Sequence, residues 1–179
     1  MPFSRFFKRR RFDDAANALY VALVEQSRQP AFYRDLGVAD TLEGRYDMII
    51  LHAYMLFRRL GKGGGAGLRE LSQETFDFMF NDMDQNLREM GVTDTGIGKR
   101  VQRMAEAFYG RTAAYDKALE QGGRALQEAL GRNLYQGVAV PAETEDRMAA
   151  YVLAQMAHLD ITADATLLAG SLTFIPVAE

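Results

Sequence analysis

The sequence predicts an all-α fold, a single-domain bundle of about six to eight helices. Apolar residues recur at three- and four-residue spacing from Asp13 to about residue 160. Alternating apolar and polar runs joined by hairpin turns are absent. Glycine or proline interrupts the helical pattern at Pro30, Gly37, residues 61–67, Gly91, Gly122-Gly123 and Gly137. At 179 residues the chain suits one domain, and a fold of this size buries about two thirds or more of its unfolded surface.

The elements follow in order. A first helix over residues 13–28 buries Ala16, Leu19, Tyr20, Leu23 and Val24, has Asp13 and Asp14 at its positive end, and is closed by Pro30. A short helix over residues 32–36 ends at Gly37. Thr41 caps a long helix reaching Leu60, whose stripe is Leu42, Tyr46, Ile49, Ile50, Ala53, Phe57 and Leu60. Met48, Leu51 and Met55 lie off that stripe, so this helix is either central or shows apolar surface to a partner. Residues 61–67 hold five glycines and read as a flexible loop, with Ser72 capping the next helix through Phe76, Met79, Phe80, Met83, Leu87 and Met90. After a turn at residues 93–96, a long helix carries Ile97, Val101, Met104, Ala105, Phe108, Thr112, Tyr115 and Leu119 and ends at Gly122-Gly123. A helix over Leu126, Leu130 and Leu134 follows, then one opened by Pro141 and running to His158. Thr162 is placed to cap a last short helix, before an apolar tail over residues 172–177 that must pack on the body.

Composition removes several chemistries. With no cysteine, disulfides, thiolate metal sites and cysteine nucleophiles are excluded, and a cytoplasmic setting is the default. No apolar run approaches the roughly 20 residues of a membrane span, and the start of the chain has no secretory pattern. His52 and His158 lack the Glu-x-x-His context of di-iron bundles, since Ile49 and Gln155 stand three residues before them. Asp82-Met83-Asp84-Gln85-Asn86 imitates a calcium loop, but the required glycine is Leu87 and the closing glutamate is Thr93. Gly61-x-Gly63-x-x-Ala66 follows a helix rather than a strand, so it is no dinucleotide fingerprint. Neither a phosphate loop nor a serine nucleophile can be assembled. The expectation is a protein that is not an enzyme, with no catalytic residue, metal, cofactor or small-molecule substrate.

Two features point instead to binding. Residues 1–12 read as a basic-aromatic flexible tail ahead of a helical domain over residues 13–179. Phe3, Phe6 and Phe7 interleave there with Arg5, Lys8, Arg9, Arg10 and Arg11, and the remaining chain holds 16 basic against 24 acidic residues, net −8. Such a tail suits an anionic membrane surface or a phosphate backbone, each cation contributing about 1 kcal/mol at a membrane. The bland reading is a solvated terminus. The second feature is nine methionines, which fill irregular cores and also line adaptable surfaces.

Ordered blocks of sequence carry a further signal. Gly44-Arg45-Tyr46-Asp47-Met48-Ile49-Ile50-Leu51-His52-Ala53 with Phe57-Arg58-Arg59-Leu60 form the first. Leu71-Ser72-Gln73, Phe76-Asp77, Met79-Phe80, Asp82-Met83-Asp84, Asn86-Leu87-Arg88-Glu89-Met90-Gly91-Val92 and Asp94 form the second. Ala105-Glu106-Ala107-Phe108-Tyr109-Gly110-Arg111, Ala114-Tyr115 and Arg132-Asn133-Leu134-Tyr135 complete the series. Together they resemble the ubiquinol-cytochrome c chaperone family, in its bacterial branch. The resemblance implies a non-catalytic assembly factor that holds newly made cytochrome b and assists its delivery into respiratory complex III (ubiquinol-cytochrome c reductase). It leaves the ribosome open as a further partner and implies no DNA binding. No organelle-targeting segment or membrane anchor is expected, so the location implied is cytoplasmic and peripheral to the inner membrane.

Within those blocks, acidic residues suit basic cytoplasmic loops. The candidate partner-binding residues are therefore Tyr46, Asp47, His52, Asp77, Asp82, Asn86, Arg88, Glu89, Tyr109, Arg111, Tyr115 and Arg132. Asp47 and Arg111 could equally form an internal ion pair, and a helical histidine among apolar neighbours is more often a packing residue. The rival reading is a peripheral membrane- or RNA-binding regulator acting through the basic tail.

Overall fold

The structure, a computed structural model, describes residues 11–63, 65–89, 91 and 94–177. The expected membrane-contacting residues Phe3, Arg5, Phe6, Phe7, Lys8, Arg9 and Arg10 lie outside that set. The described residues form eight helices and no strand, which is the all-α bundle the apolar spacing predicts.

Asp13 and Asp14 begin α1 (Asp13–Ser27), which buries Ala16, Leu19, Tyr20 and Leu23. Phe12 precedes it and packs on the core, its backbone N–H donating to Glu74 Oε2 at 3.1 Å. Pro30 does not merely stop α1. It opens α2 (Pro30–Arg34) from the first helical position, where a missing N–H leaves no bond unmade. Thr41 caps α3 (Leu42–Lys62), its Oγ1 accepting from the Gly44 N–H at 3.1 Å.

The glycine-rich segment is shorter than its composition suggests. α3 continues through Gly61, and α4 (Ala66–Glu89) starts well before Ser72, which sits inside the helix and caps nothing. Burial of Leu68 and Leu71 outweighs the cost of helical Gly67. A Cβ on Gly63 would lie 2.0 Å from Leu68 Cδ1, so a larger residue there would have to displace that side chain.

α5 (Asp94–Gln121) and α6 (Ala125–Asn133) meet at the Gly122-Gly123 corner. α7 (Ala142–Ile161) extends past His158, and α8 (Asp164–Leu168) begins after Ala163. Thr162 does not cap α8; its hydroxyl donates back to the His158 carbonyl at 3.0 Å. The apolar tail packs as its composition requires. Leu172, Phe174 and Val177 lie against the core, while Gln155 clamps the Ile175 backbone through both its N–H (3.1 Å) and its carbonyl (2.6 Å).

α3 separates two apolar clusters. Met48, Leu51, Tyr54 and Met55 face Phe32 and the helices α5, α6 and α7. Ile50, Ala53, Leu56 and Leu60 face α1 and α4, with Phe108 from α5 and Leu167 from α8. The central position anticipated for this helix is the observed one. Met79 and Met83 are buried with Met48 and Met55, so these thioethers fill the core rather than line a surface; Met90 lies outside the described residues. No helix among the described residues is long and apolar enough to cross a membrane.

This packing separates two glycines that sequence alone treats alike. A Cβ on Gly44 would lie 2.0 Å from the Ala39 backbone carbonyl oxygen, whereas one on Gly110, inside α5, meets nothing within 4 Å. Gly44→Ala is expected to destabilise by about 2 kcal/mol, and Gly110→Ala to stabilise by up to about 1 kcal/mol. Thermal unfolding followed by circular dichroism reads both signs.

Candidate partner-binding surface

Burial of α3 on most sides takes Asp47, His52 and Arg59 out of water, and each finds a partner on another element. Asp47, 1 % exposed, faces Arg111 of α5 with 2.7 Å between Oδ1 and Nη2. Its Oδ2 accepts from Gln136 Nε2 at 2.9 Å. Gln136 reaches this position from the tight turn after α6, where its φ is 53°. Burial nevertheless holds the Asp47 carboxyl above its ordinary value, with Gln136 and Arg111 pulling the other way. Arg111 also donates from Nε to the Asn133 carbonyl at 3.3 Å, tying α5 to the end of α6.

His52 is fully buried. Its Nδ1 lies 2.8 Å from the Met48 carbonyl and its Nε2 2.7 Å from the Tyr151 hydroxyl of α7. The rings of Phe32 and Phe174 stand edge-on to it, each with centroids 5.4 Å away. Desolvation lowers its pKa to about 4, so at neutral pH it is an uncharged hinge pin between helices. Tyr115 is likewise at 0 % exposure, beside Tyr54 with ring centroids 5.3 Å apart, and burial pushes its phenol upward. Neither His52 nor Tyr115 presents a surface to a docked partner, which corrects their assignment as contact residues.

The remaining candidates divide by location. Tyr46 is partly buried and donates to the Met104 carbonyl at 3.0 Å, its phenol pushed up to about 12 by burial. Asp82 accepts from the Tyr20 hydroxyl of α1 at 2.8 Å and from Asn86 Nδ2 at 2.9 Å, so this pair helps dock α4 on α1. Asp77 accepts from Gln73 at 2.9 Å, Arg88 pairs with Asp84 at 2.6 Å, and Glu89 accepts from Gln85 at 3.1 Å, all along α4. Arg132 stands apart on α6, 4.0 Å from Glu128 and exposed. Of the tail cations only Arg11 is described; it is exposed, 3.8 Å from Glu70.

Tyr109 belongs to a feature whose other members the candidate set leaves out. Phe57 of α3, Phe76 and Phe80 of α4, and Phe108 and Tyr109 of α5 form one continuous ring cluster. Its centroid separations run from 4.5 Å for Phe76 to Phe80 to 6.4 Å for Phe80 to Phe108. Phe57 and Phe76 both reach Phe108, at 5.9 and 5.7 Å. Phe108 is nearly buried, Phe57, Phe76 and Phe80 are partly exposed, and Tyr109 is 60 % exposed. The cluster therefore opens outward from the core. α4, which borders it, carries six carboxylates against two arginines. The i, i+4 spacing of Phe76 and Phe80 and the adjacent Phe108-Tyr109 were the available sequence signal, but periodicity reads such rings as interior.

The fold and this surface define an all-helical domain whose outward feature is an aromatic patch, two of its rings carried by a helix rich in carboxylates. Residues 34–174 match the ubiquinol-cytochrome C chaperone family, and the chain belongs to it. It is 26 % identical over 166 residues, 92 % of its length, to ubiquinol-cytochrome-c reductase complex assembly factor 1 of Xenopus laevis, of which it covers 82 %. The corresponding proteins of mouse and human are 26 % and 25 % identical, and the chain spans just over half of each, 56 % and 55 %. The crystal structure of the Cbp3 homolog from Brucella abortus superimposes with a TM-score of 0.82 at 35 % identity, covering 93 % of this chain and 91 % of that one.

Two outcomes test the buried polar contacts. The pKa of His52 lies below its unfolded value of 6.5, so its contribution to stability is complete above pH 6.5 and is lost as pH falls toward 4. The full loss is about 3 kcal/mol, and urea unfolding of His52→Gln is expected to show a flatter pH slope across that window. Arg111→Ala strands the Asp47 carboxylate and is expected to cost about 3 kcal/mol at pH 7. Because Asp47 is held above its ordinary pKa, that cost should shrink as acidification protonates it, and Asp47→Asn in the same background should restore part of the loss.

Proposed function

We propose that this protein is a non-catalytic chaperone that binds newly made cytochrome b and assists its assembly into ubiquinol-cytochrome c reductase at the inner membrane. The observation that carries the reading is the aromatic patch of α3, α4 and α5 beside the acidic face of α4. Apolar rings take up the ends of unassembled transmembrane helices, and carboxylates match the Lys and Arg enriched in the loops that join such helices on the cytoplasmic side. Family membership and the similarity to complex III assembly factors support the class of client.

In this reading Tyr109, Phe76 and Phe80 are the apolar anchors. Asp77 and Asp84 flank the two phenylalanines along α4, and Arg88 and Glu89 lie further along the same helix. Asp47, Arg111, Asp82 and Asn86 serve by holding α4 and α5 in place. The basic tail ending at Arg11 supplies reversible attachment to the anionic leaflet, roughly 5 kcal/mol at best before ordering costs.

Affinity capture from detergent-solubilised membranes expressing cytochrome b tests the proposal. Wild-type protein should recover cytochrome b, Tyr109→Ala should reduce recovery by about tenfold, and Glu89→Lys should reduce it further as salt is lowered. Helicity and melting temperature should not change in either variant, since both side chains are exposed. Undiminished recovery by both variants, combined with complete loss on deleting residues 3–12, would instead assign binding to the tail.

A further inference from the structure

A second site lies away from the aromatic patch, where the end of α1, the short α2 and the start of α3 enclose an open cavity of about 500 Å³ lined by Arg28, Pro30, Tyr33, Arg34, Asp40 and Arg45. Three guanidiniums line it against Asp40, and with Asp35, which pairs with Arg34 from outside the lining, the local charge is +1 on a chain whose net charge is −3. The cations come from three separate segments, and two of them are braced by a carboxylate. Arg34 is forked onto its neighbour Asp35 by two contacts of 2.7 Å. Arg45 is held through Nε alone by Asp40 at 2.7 Å, which leaves its terminal nitrogens unengaged among the described residues. Arg28 sits at the C-cap of α1, and its guanidinium has no ion-pair partner among the described residues. Tyr33 fixes the wall between them, its hydroxyl donating to the Ser27 carbonyl at 2.7 Å.

Arg34 and Arg45, already held by carboxylates, lose little further freedom when an anion arrives, Arg28 supplies a charge unpaired among the described residues, and planar guanidinium donors match tetrahedral oxyanions. A carboxylate offers two oxygens, too few to reach three guanidiniums spread around a cavity of this size. A phosphomonoester offers three terminal oxygens and close to two charges, and the remaining volume holds the group it esterifies.

From this arrangement we propose that the Arg28, Arg34 and Arg45 cavity is a binding site for a phosphomonoester group, carried either by a small soluble metabolite or by a lipid headgroup. The site is independent of the aromatic patch, so it stands or falls without reference to cytochrome b.

The test is titration of the ¹⁵N-labelled full chain with inorganic phosphate and with glycerol 3-phosphate, at ionic strength matched with sodium chloride. Flotation with phosphatidic acid vesicles against phosphatidylcholine vesicles forms the second arm. Phosphate-specific shifts are expected at the amides of Arg28, Tyr33 and Arg45. Arg28→Ala and Arg45→Ala should each weaken binding about tenfold, the loss of one charge-assisted contact, while Lys117→Ala on exposed α5 surface leaves it unchanged. Soluble-ester binding without vesicle binding identifies a metabolite, and vesicle binding lost in Arg28→Ala identifies a headgroup. Shifts no larger than those from chloride, or equal in Arg28→Ala and Lys117→Ala, would overturn the assignment; because both arginine side chains are exposed, either variant alone suffices if the other fails to fold.

Discussion

Enclosing α3 on most of its circumference puts a premium on pairing the polar side chains it buries. Twelve of its residues are buried, among them Asp47, His52 and Arg59. Each of these three reaches a different part of the chain. Asp47 holds α5 and the turn at Gln136, and His52 holds α7 through Tyr151. Arg59 caps the end of α7 by donating to the carbonyls of Leu159 and Thr162 at 2.9 and 2.6 Å and pairing with Asp164 at the start of α8. The apolar clusters on either side supply most of the free energy, but these contacts fix which helix lies where. An apolar stripe tolerates rotation and sliding of its neighbours; a buried carboxylate facing one guanidinium does not.

That constraint also produces the surface. With α3 locked against α5 and α4 docked on α1 through Tyr20 and Asp82, Phe57, Phe76, Phe80 and Phe108 are brought into one ring cluster whose inner edge is core and whose outer edge, at Tyr109, is not. The patch is an extension of the interior rather than an appendage to it. Its shape is then as stable as the fold, and docking a client there requires little ordering of the chaperone. On the proposed function, such preorganised apolar area, kept small, is what a membrane-protein client would need.

Much of the fold was legible because helical spacing and its punctuation are local. Thr41, Gly91 and the Gly122-Gly123 pair mark observed boundaries. The beginning of α4 was not legible, since five glycines in seven residues argue for a loop until Leu68 is known to fill the space over Gly63. Thr162 resembled a cap for the helix that follows it, yet its hydroxyl serves the helix that precedes it. Site residues were harder still. His52, Asp47 and Arg111 look alike as polar residues in shared blocks, and only the packing reveals that all three belong to the scaffold. Arg28, Arg34 and Arg45 carry no motif, because they line one cavity only once α1, α2 and α3 are placed. Resemblance supplied the family where periodicity supplied only a helical binding protein.

The central claim is that the ring cluster of α3, α4 and α5 is the face that receives the client. A photo-crosslinking amino acid placed at position 109, and separately at position 153, where Leu153 is half exposed on α7, tests it directly. Irradiation of membranes during synthesis of complex III should join position 109, and not position 153, to cytochrome b. Adducts from position 153 with none from position 109 would contradict the account.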